Sequence, residues 1–271
     1  MKTIMIVIDG NYLVKGLHSV KTKFGSFPKL DGMINFFKQF VAINHNIAIE
    51  DCNVISTHFF RGQVSAMAAN QQNKLYSDRV LADNLMGIGA QMHHLPVKKD
   101  LNGQESEKGI DVLLTVTTLQ EVVAKKPDII FFITGDGDYI PLVKAVQSYK
   151  TKVFIATFDS ESENNITISN RHLVNICNSH IDMMAIITKY PKDMLYEVSN
   201  TTQEVSPQIK GIKSKVVNVK GASVFIAYPP NNVYYRNFSN MNLNIGDEVI
   251  FDYALHPDTG NPIAVNVIKV Q

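Results

Sequence analysis

The chain has almost no cysteine: Cys52 and Cys177 are the only thiols in 271 residues, and both stand in apolar segments. That excludes a disulfide framework, and it excludes a thiolate zinc site, which needs several ligands at close spacing. A reducing cytoplasm suits such a chain. Charge of one sign is equally scarce. Lysine and arginine number 26 against 25 aspartate and glutamate, a formal net charge of +1, so no global basic field advertises a polyanionic partner. Long apolar runs are missing too. The opening segment, residues 1–8, is mostly apolar but ends at Asp9-Gly10-Asn11 without a small-residue cleavage site, so it reads as a buried strand rather than a leader. No stretch reaches the roughly 20 apolar residues that a bilayer-crossing helix needs, and no membrane partner is expected. Neither a Gly-x-x-x-x-Gly-Lys loop nor a dinucleotide fingerprint occurs, which disfavours a nucleotide-fuelled enzyme or a dehydrogenase.

The residues that are present make an ordinary folded composition, 45% hydrophobic and 19% charged, with length enough for two unequal domains. Over residues 1–188, β-rich apolar runs (3–8, 53–60, 90–96, 128–134 and 152–157) alternate with helical patterns (31–43, 64–86, 110–124 and 139–149). Alternation of this kind predicts a doubly wound α/β domain whose parallel sheet is covered on both faces. Asp31 is the expected cap of the second helix, and Gly87 with Gly89 the stop of the long one. The polar segment 98–108 reads as a loop that can close over a ligand. Residues 189–207, opening at Tyr190-Pro191, read as a linker. Residues 208–271 then show only short strands between turn signals such as Pro229-Pro230-Asn231-Asn232 and Gly260-Asn261-Pro262, the grammar of a small closed all-β barrel.

Polar sites in parallel sheets gather at the carboxyl ends of the strands. Asp9 ends the first strand, with Asn11 two residues on. Asp136 and Asp138 lie in Thr134-Gly135-Asp136-Gly137-Asp138-Tyr139, directly after Ile-Ile-Phe-Phe-Ile, and Asp111 opens a helix in Lys108-Gly109-Ile110-Asp111. Taken singly, each aspartate is as well explained as a helix cap or turn residue. Taken together they converge, and two unit charges about 6 Å apart repel by roughly 3 kcal/mol at an effective dielectric near 20. A divalent cation resolves that repulsion. An all-oxygen donor set suits Mg2+ or Mn2+, which can activate water and offset charge on a phosphodiester under in-line attack. Asn11 is positioned to orient the water, and Thr134 to orient Asp136 or Asp138. His93-His94 is a poor metal pair, because neighbours on a strand point to opposite faces. Arg61, Lys98 and Lys99 read either as phosphate contacts or as solvated surface charge.

Ile-Asp-Gly-Asn, Glu-Lys-Gly-Ile-Asp-Val and Phe-Ile-Thr-Gly-Asp-Gly-Asp-Tyr-Ile-Pro-Leu-Val, in that order, resemble the NYN domains of the bacterial LabA-like family over residues 1–187. The resemblance implies a PIN-like fold and a magnesium- or manganese-dependent ribonuclease that leaves a 5′-phosphate. It also implies carboxylate ligands at Asp9, Asp111, Asp136 and Asp138, with Asn11, Thr134 and Lys108 in support. The first motif departs from the pattern, since many members place the asparagine one residue later. The C-terminal region resembles a cold-shock-type OB domain, with Val233-Tyr234-Tyr235-Arg236 where that family has an aromatic pair, and with Ala222 and Val224 where stacking aromatics are expected. Lys220, Tyr234, Tyr235, Arg236 and Phe238 are the candidate contacts to single-stranded RNA. Phe225 reads as a core residue, and of Tyr234 and Tyr235 one should face in and one out. A ribonuclease is thus the leading expectation and a non-catalytic RNA-binding regulator the alternative. An Asp-x-Asp phosphatase is disfavoured because Asn11 supplies no second carboxylate. Oligomeric state stays open, a homo-oligomer included.

Overall fold

The computed structural model describes residues 1–99, 105–162, 165–196, 208–220, 223–229, 232–236, 241–255 and 262–270. The chain divides into two compact units, Met1–Val198 and Ser199–Gln271. Among the described residues no helix is long and apolar enough to cross a membrane.

The first unit is built on six parallel strands: β1 (Lys2–Asp9), β2 (Cys52–Gln63), β3 (Gln91–Pro96), β4 (Ile129–Ile133), β5 (Lys152–Thr157) and β6 (Ser179–Asp182). Their order across the sheet is β6-β5-β4-β1-β2-β3. The two central strands are buried without interruption over Ile4–Ile8 and Ile129–Ile133, as strands covered on both faces must be. Their side chains alternate between two cores. Ile4, Ile6, Ile8 and Phe131 pack with Leu13 and Val20 of α1 (Gly10–Phe24) and with Phe37 of α2 (Leu30–His45). Met5, Val7 and Phe132 pack on the other face with Leu114 of α5 (Ile110–Lys125) and Val143 of α6 (Ile140–Ser148). Phe37 stacks on Phe131 at 4.3 Å, so Phe37→Ala should cost about 3–5 kcal/mol.

This layout has one consequence for function. The helix after β1 turns to one face of the sheet and the helix after β4 to the other, and the two strands are neighbours. The crevice at their carboxyl ends is the topological switch point, where doubly wound sheets hold their ligands.

The second unit is a closed barrel of β7 (Ile209–Lys220), β8 (Ser223–Ile226), β9 (Val233–Arg236), β10 (Glu248–Leu255) and β11 (Pro262–Lys269). It closes in the order β7-β8-β9-β11-β10, with the β9–β11 contact parallel. Val216, Val224, Ile226, Val233, Val249 and Phe251 fill it.

Several expectations need correction. The helix expected over 64–86 is two, α3 (Ala66–Gln71) and α4 (Leu75–Gly87). Asn73 takes a left-handed conformation, φ 54°, and Lys74 N donates to Ala69 O while Asn73 N donates to Asn70 O, a Schellman stop made with asparagine. Asp31 lies inside the first turn of α2 rather than at its cap, which is Lys29. Lys98–Lys99 pairs with Glu105–Ser106 as a short antiparallel ladder, and residues 100–104 of the expected loop lie outside the described residues. Past residue 188 the first unit continues: Pro191–Met194 is helical, Met194 and Leu195 are buried, and Tyr196 N donates to Phe27 O.

Candidate active site

Asp9, the last residue of β1, caps α1. One carboxylate oxygen accepts from Asn11 N and from Tyr12 N, each at 3.1 Å. Gly10 is required there, because a Cβ would lie 2.6 Å from the Phe60 carbonyl on β2. The second oxygen of Asp9 accepts from Thr134 Oγ1 at 3.3 Å. Thr134 follows β4, is wholly buried, and sits beside Asp9 because the register sets Ile8 against Ile133. Its hydroxyl accepts in turn from Asp136 N at 3.2 Å, and Asp136 Oδ1 accepts from Asp138 N at 2.9 Å. A relay of hydrogen bonds thus runs from the end of β1 through the loop after β4.

Asp111 reaches the same edge from the first turn of α5. Gly109 before it adopts φ 86°, a conformation that L side chains rarely take, and this turns the chain into the helix. The buried Tyr139 hydroxyl donates to Asp111 Oδ1 at 2.7 Å. Asp111, Asp136 and Asp138 are exposed, and Asp9 is partly buried. Burial pushes the Asp9 carboxyl up to about 6 against the pull of Tyr12 N–H and the Thr134 hydroxyl, and the charges of Asp111 and Asp136 add to the rise. Burial likewise drives the Tyr139 hydroxyl well above its ordinary range, with Asp9 and Asp111 contributing. Asp9 therefore lies in the field of two other carboxylates. Even so, among the described residues no three His, Cys, Asp or Glu side chains stand grouped as a ready-made ion cage.

Thr134 orients the Asp9 carboxylate and the backbone of Asp136. Asn11 is not free to swing: its Nδ2 donates to Glu107 Oε2 at 2.5 Å. Glu107 lies against Gly62, where a Cβ would come within 2.5 Å of it. Lys108 is exposed, and the side chains of Lys98 and Lys99 lie outside the described residues. Arg61 is not an open phosphate contact, since its Nη1 is paired with Asp78 Oδ1 at 3.0 Å. His93 and His94 do point apart. His93 Nε2 meets His58 Nδ1 at 3.1 Å, and His94 Nδ1 meets the Arg61 carbonyl at 3.1 Å. Sequence reasoning missed Glu107 and Tyr139 as members of the site, although both stand inside the quoted motifs.

On the barrel, strand alternation sends Val224 and Ile226 inward and Phe225 outward, which corrects the assignment of Phe225 to the core. Phe225 pairs across the strands with Tyr234, ring centroids 5.7 Å apart, and Ser223 Oγ lies 3.5 Å from the Tyr234 hydroxyl. Tyr235 packs against the barrel core. Of the two tyrosines Tyr235 faces in and Tyr234 out, as the strand period requires, and the outer aromatic partner of Tyr234 is Phe225. Lys220 is exposed at the end of β7. The side chain of Arg236 and all of Phe238 lie outside the described residues.

The NYN domain family matches residues 3–186. No curated protein matches. A crystal structure of a protein of unknown function from Vibrio parahaemolyticus RIMD 2210633 aligns with a TM-score of 0.45 and 18% identity, over 72% of this chain and 96% of that one.

Proposed function

Because the chain belongs to the NYN domain family, whose members are generally nucleases acting on RNA, we propose that it is a cytoplasmic ribonuclease that hydrolyses single-stranded RNA with a divalent cation. The observation that carries this reading is the linked set Asp9, Asp111 and Asp136 at the switch point of the sheet, close enough for the latter two to raise the Asp9 pKa. The donors fit Mg2+ or Mn2+. All are hard oxygens, and Mg2+ keeps several waters and needs only one or two carboxylates with substrate phosphate, so a complete protein cage is not required. Asp9, Asp111, Asp136 and Asp138 would hold the ion, which supplies activation of water and offsets charge on the phosphodiester.

The remaining groups act through position. Thr134 holds Asp9 and Asp136 in register, the Tyr139 hydroxyl fixes Asp111, and Asn11, steadied by Glu107, orients the incoming water. Lys98, Lys99 and Lys108 supply phosphate contacts. Phe225 and Tyr234 stack unpaired bases, and the barrel raises the local substrate concentration by tethering.

The test is cleavage of a labelled single-stranded RNA by the wild type and by Asp136→Asn with manganese, with magnesium and with EDTA. Metal-dependent cutting that the variant loses, with RNA affinity kept, is the expected result. A second reading, a non-catalytic RNA-binding regulator, is favoured by the lack of a ready-made three-ligand group among the described residues. Binding without cutting under every metal condition would establish it.

A further inference from the structure

Beside the acidic edge, between β2, β3 and α4, a cleft of about 430 Å³ shares Asn11 and Glu107 with the candidate site. That volume falls within the roughly 300–1,000 Å³ of small-molecule sites. Its floor is apolar: Phe59 and Leu85 are 1% exposed, and Met92 lines it beside them. Its rim is polar, with Arg61 and Lys74 beside Asp78 and Glu107. Arg61 Nη1 sits 3.0 Å from Asp78 Oδ1, so the guanidinium and carboxylate neutralise one another and stand as donor beside acceptor. His94 meets the Arg61 carbonyl at 3.1 Å. A carbonyl only accepts, so His94 Nδ1 carries the proton and Nε2 is left as an acceptor when the ring is neutral.

An apolar floor with a rim on which Arg61 and Lys74 are balanced by Asp78 and Glu107 suits a flat base, which brings both donors and acceptors, better than a phosphate, which wants an excess of cations. Among the bases, guanine has the matching order of groups. Its O6 and N7 accept from a guanidinium and its N–H donors suit a carboxylate, whereas adenine presents an amino donor where guanine has O6. We propose that this cleft is a guanine-selective subsite that seats the nucleotide next to the scissile phosphate. The proposal rests on the ribonuclease reading for its role and on the cleft's own chemistry for its ligand. Arg61 thereby becomes a specificity residue rather than a backbone contact.

The experiment is isothermal titration of the full chain with GMP, AMP, CMP and UMP in EDTA. It is run on the wild type, on Asp78→Asn, and on Ala82→Phe, which places a ring in the cleft, with thermal unfolding of each variant as a check on folding. GMP should bind at least tenfold tighter than the other three, Asp78→Asn should erase that preference, and Ala82→Phe should abolish binding. Equal affinity for all four nucleotides, no binding of any, or GMP binding unchanged in both folded variants overturns the proposal. Cleavage of RNA with manganese, run alongside, separates the two readings. Metal-dependent cutting without selective GMP binding removes the subsite and leaves the nuclease. Selective GMP binding by a protein that cuts no RNA under any metal condition overturns the ribonuclease reading and the subsite role with it.

Discussion

Replacing Asp9 with asparagine should make the metal-free protein more stable while destroying its activity. Burial, with Asp111 and Asp136 nearby, raises the Asp9 pKa from 3.8 to about 6. The folded state therefore holds the Asp9 proton to higher pH than the unfolded chain does. Ionised Asp9 imposes no penalty below about pH 4, a growing one between pH 4 and 6, and the full one above 6. A shift of that size corresponds to about 3 kcal/mol. Asparagine caps a helix as well as aspartate, and it keeps an oxygen for Asn11 N and Tyr12 N and an amide that can donate to Thr134 Oγ1, so the gain should survive as about 1–3 kcal/mol. Urea unfolding in EDTA, followed by circular dichroism, should show Asp9→Asn more stable than wild type at pH 7.5 and equal to it at pH 4. Millimolar Mg2+ or Mn2+ should then stabilise the wild type and leave the variant unmoved, because only a state that binds the ion gains by mass action. A variant no more stable than wild type at pH 7.5 would refute the idea that Asp9 is held ionised against its surroundings.

Tyr139→Phe removes one hydroxyl, and with it the bond to Asp111. The single-turnover rate should drop about 10- to 100-fold, or about 1.4–2.7 kcal/mol of barrier, with RNA affinity unchanged and a higher manganese concentration needed for half-maximal rate. At the other end of the sheet, Asp128 takes hydrogen bonds from Lys2 Nζ, Thr3 N and Thr3 Oγ1. Burial would raise its pKa, but these partners outweigh that and hold it at about 2. Its stabilisation is complete above about pH 4 and lost as pH falls through 2, so Asp128→Asn should cost about 1 kcal/mol at pH 7, after discounting for exposure, and nothing near pH 2, as read by urea unfolding. The double variant Phe225→Ala, Tyr234→Ala should weaken binding of single-stranded RNA by about 1–3 kcal/mol per stacked base in a fluorescence-anisotropy titration, with the far-ultraviolet spectrum of the barrel retained.

The centre of the sheet is legible because its strands are unbroken apolar runs: Ile-Ile-Phe-Phe-Ile can hardly be anything but a doubly covered strand. The sixth strand is not. Ser179-His180-Ile181-Asp182 buries only Ile181, and a single apolar residue carries no period. The first helix was hard to see for another reason: it begins at Gly10, inside the motif that marks the site, and its cap is the candidate ligand itself. The acidic residues could be grouped from the sequence since strand ends in a parallel sheet share an edge. What joins them could not be read off. That Thr134 bridges Asp9 to Asp136, that Tyr139 reaches Asp111 and that Glu107 holds Asn11 are contacts between residues up to 125 positions apart. On the barrel Phe225 does not lie in the core as expected, because strand period alone does not say which face of β8 is the inner one.

Asp9 and Asp128 are the same residue type at opposite ends of the central strands, and their surroundings separate the candidate site from ordinary structure. Asp128 faces a cation: Lys2 Nζ lies 2.8 Å from it, and its pKa falls to about 2. Asp9 accepts instead from two backbone N–H groups and a threonine hydroxyl, all neutral, and its pKa rises. Asp111 is likewise met by a neutral tyrosine hydroxyl, and Asp136 by the backbone N–H of Asp138. If these aspartates served only to close the sheet edge, pairing them as Asp128 is paired would remove the repulsion and strengthen the fold. Neutral donors fix the carboxylates in place without cancelling their charge. They leave a negative field open to the solvent at the switch point, and a divalent cation brought in with a phosphodiester would complete it.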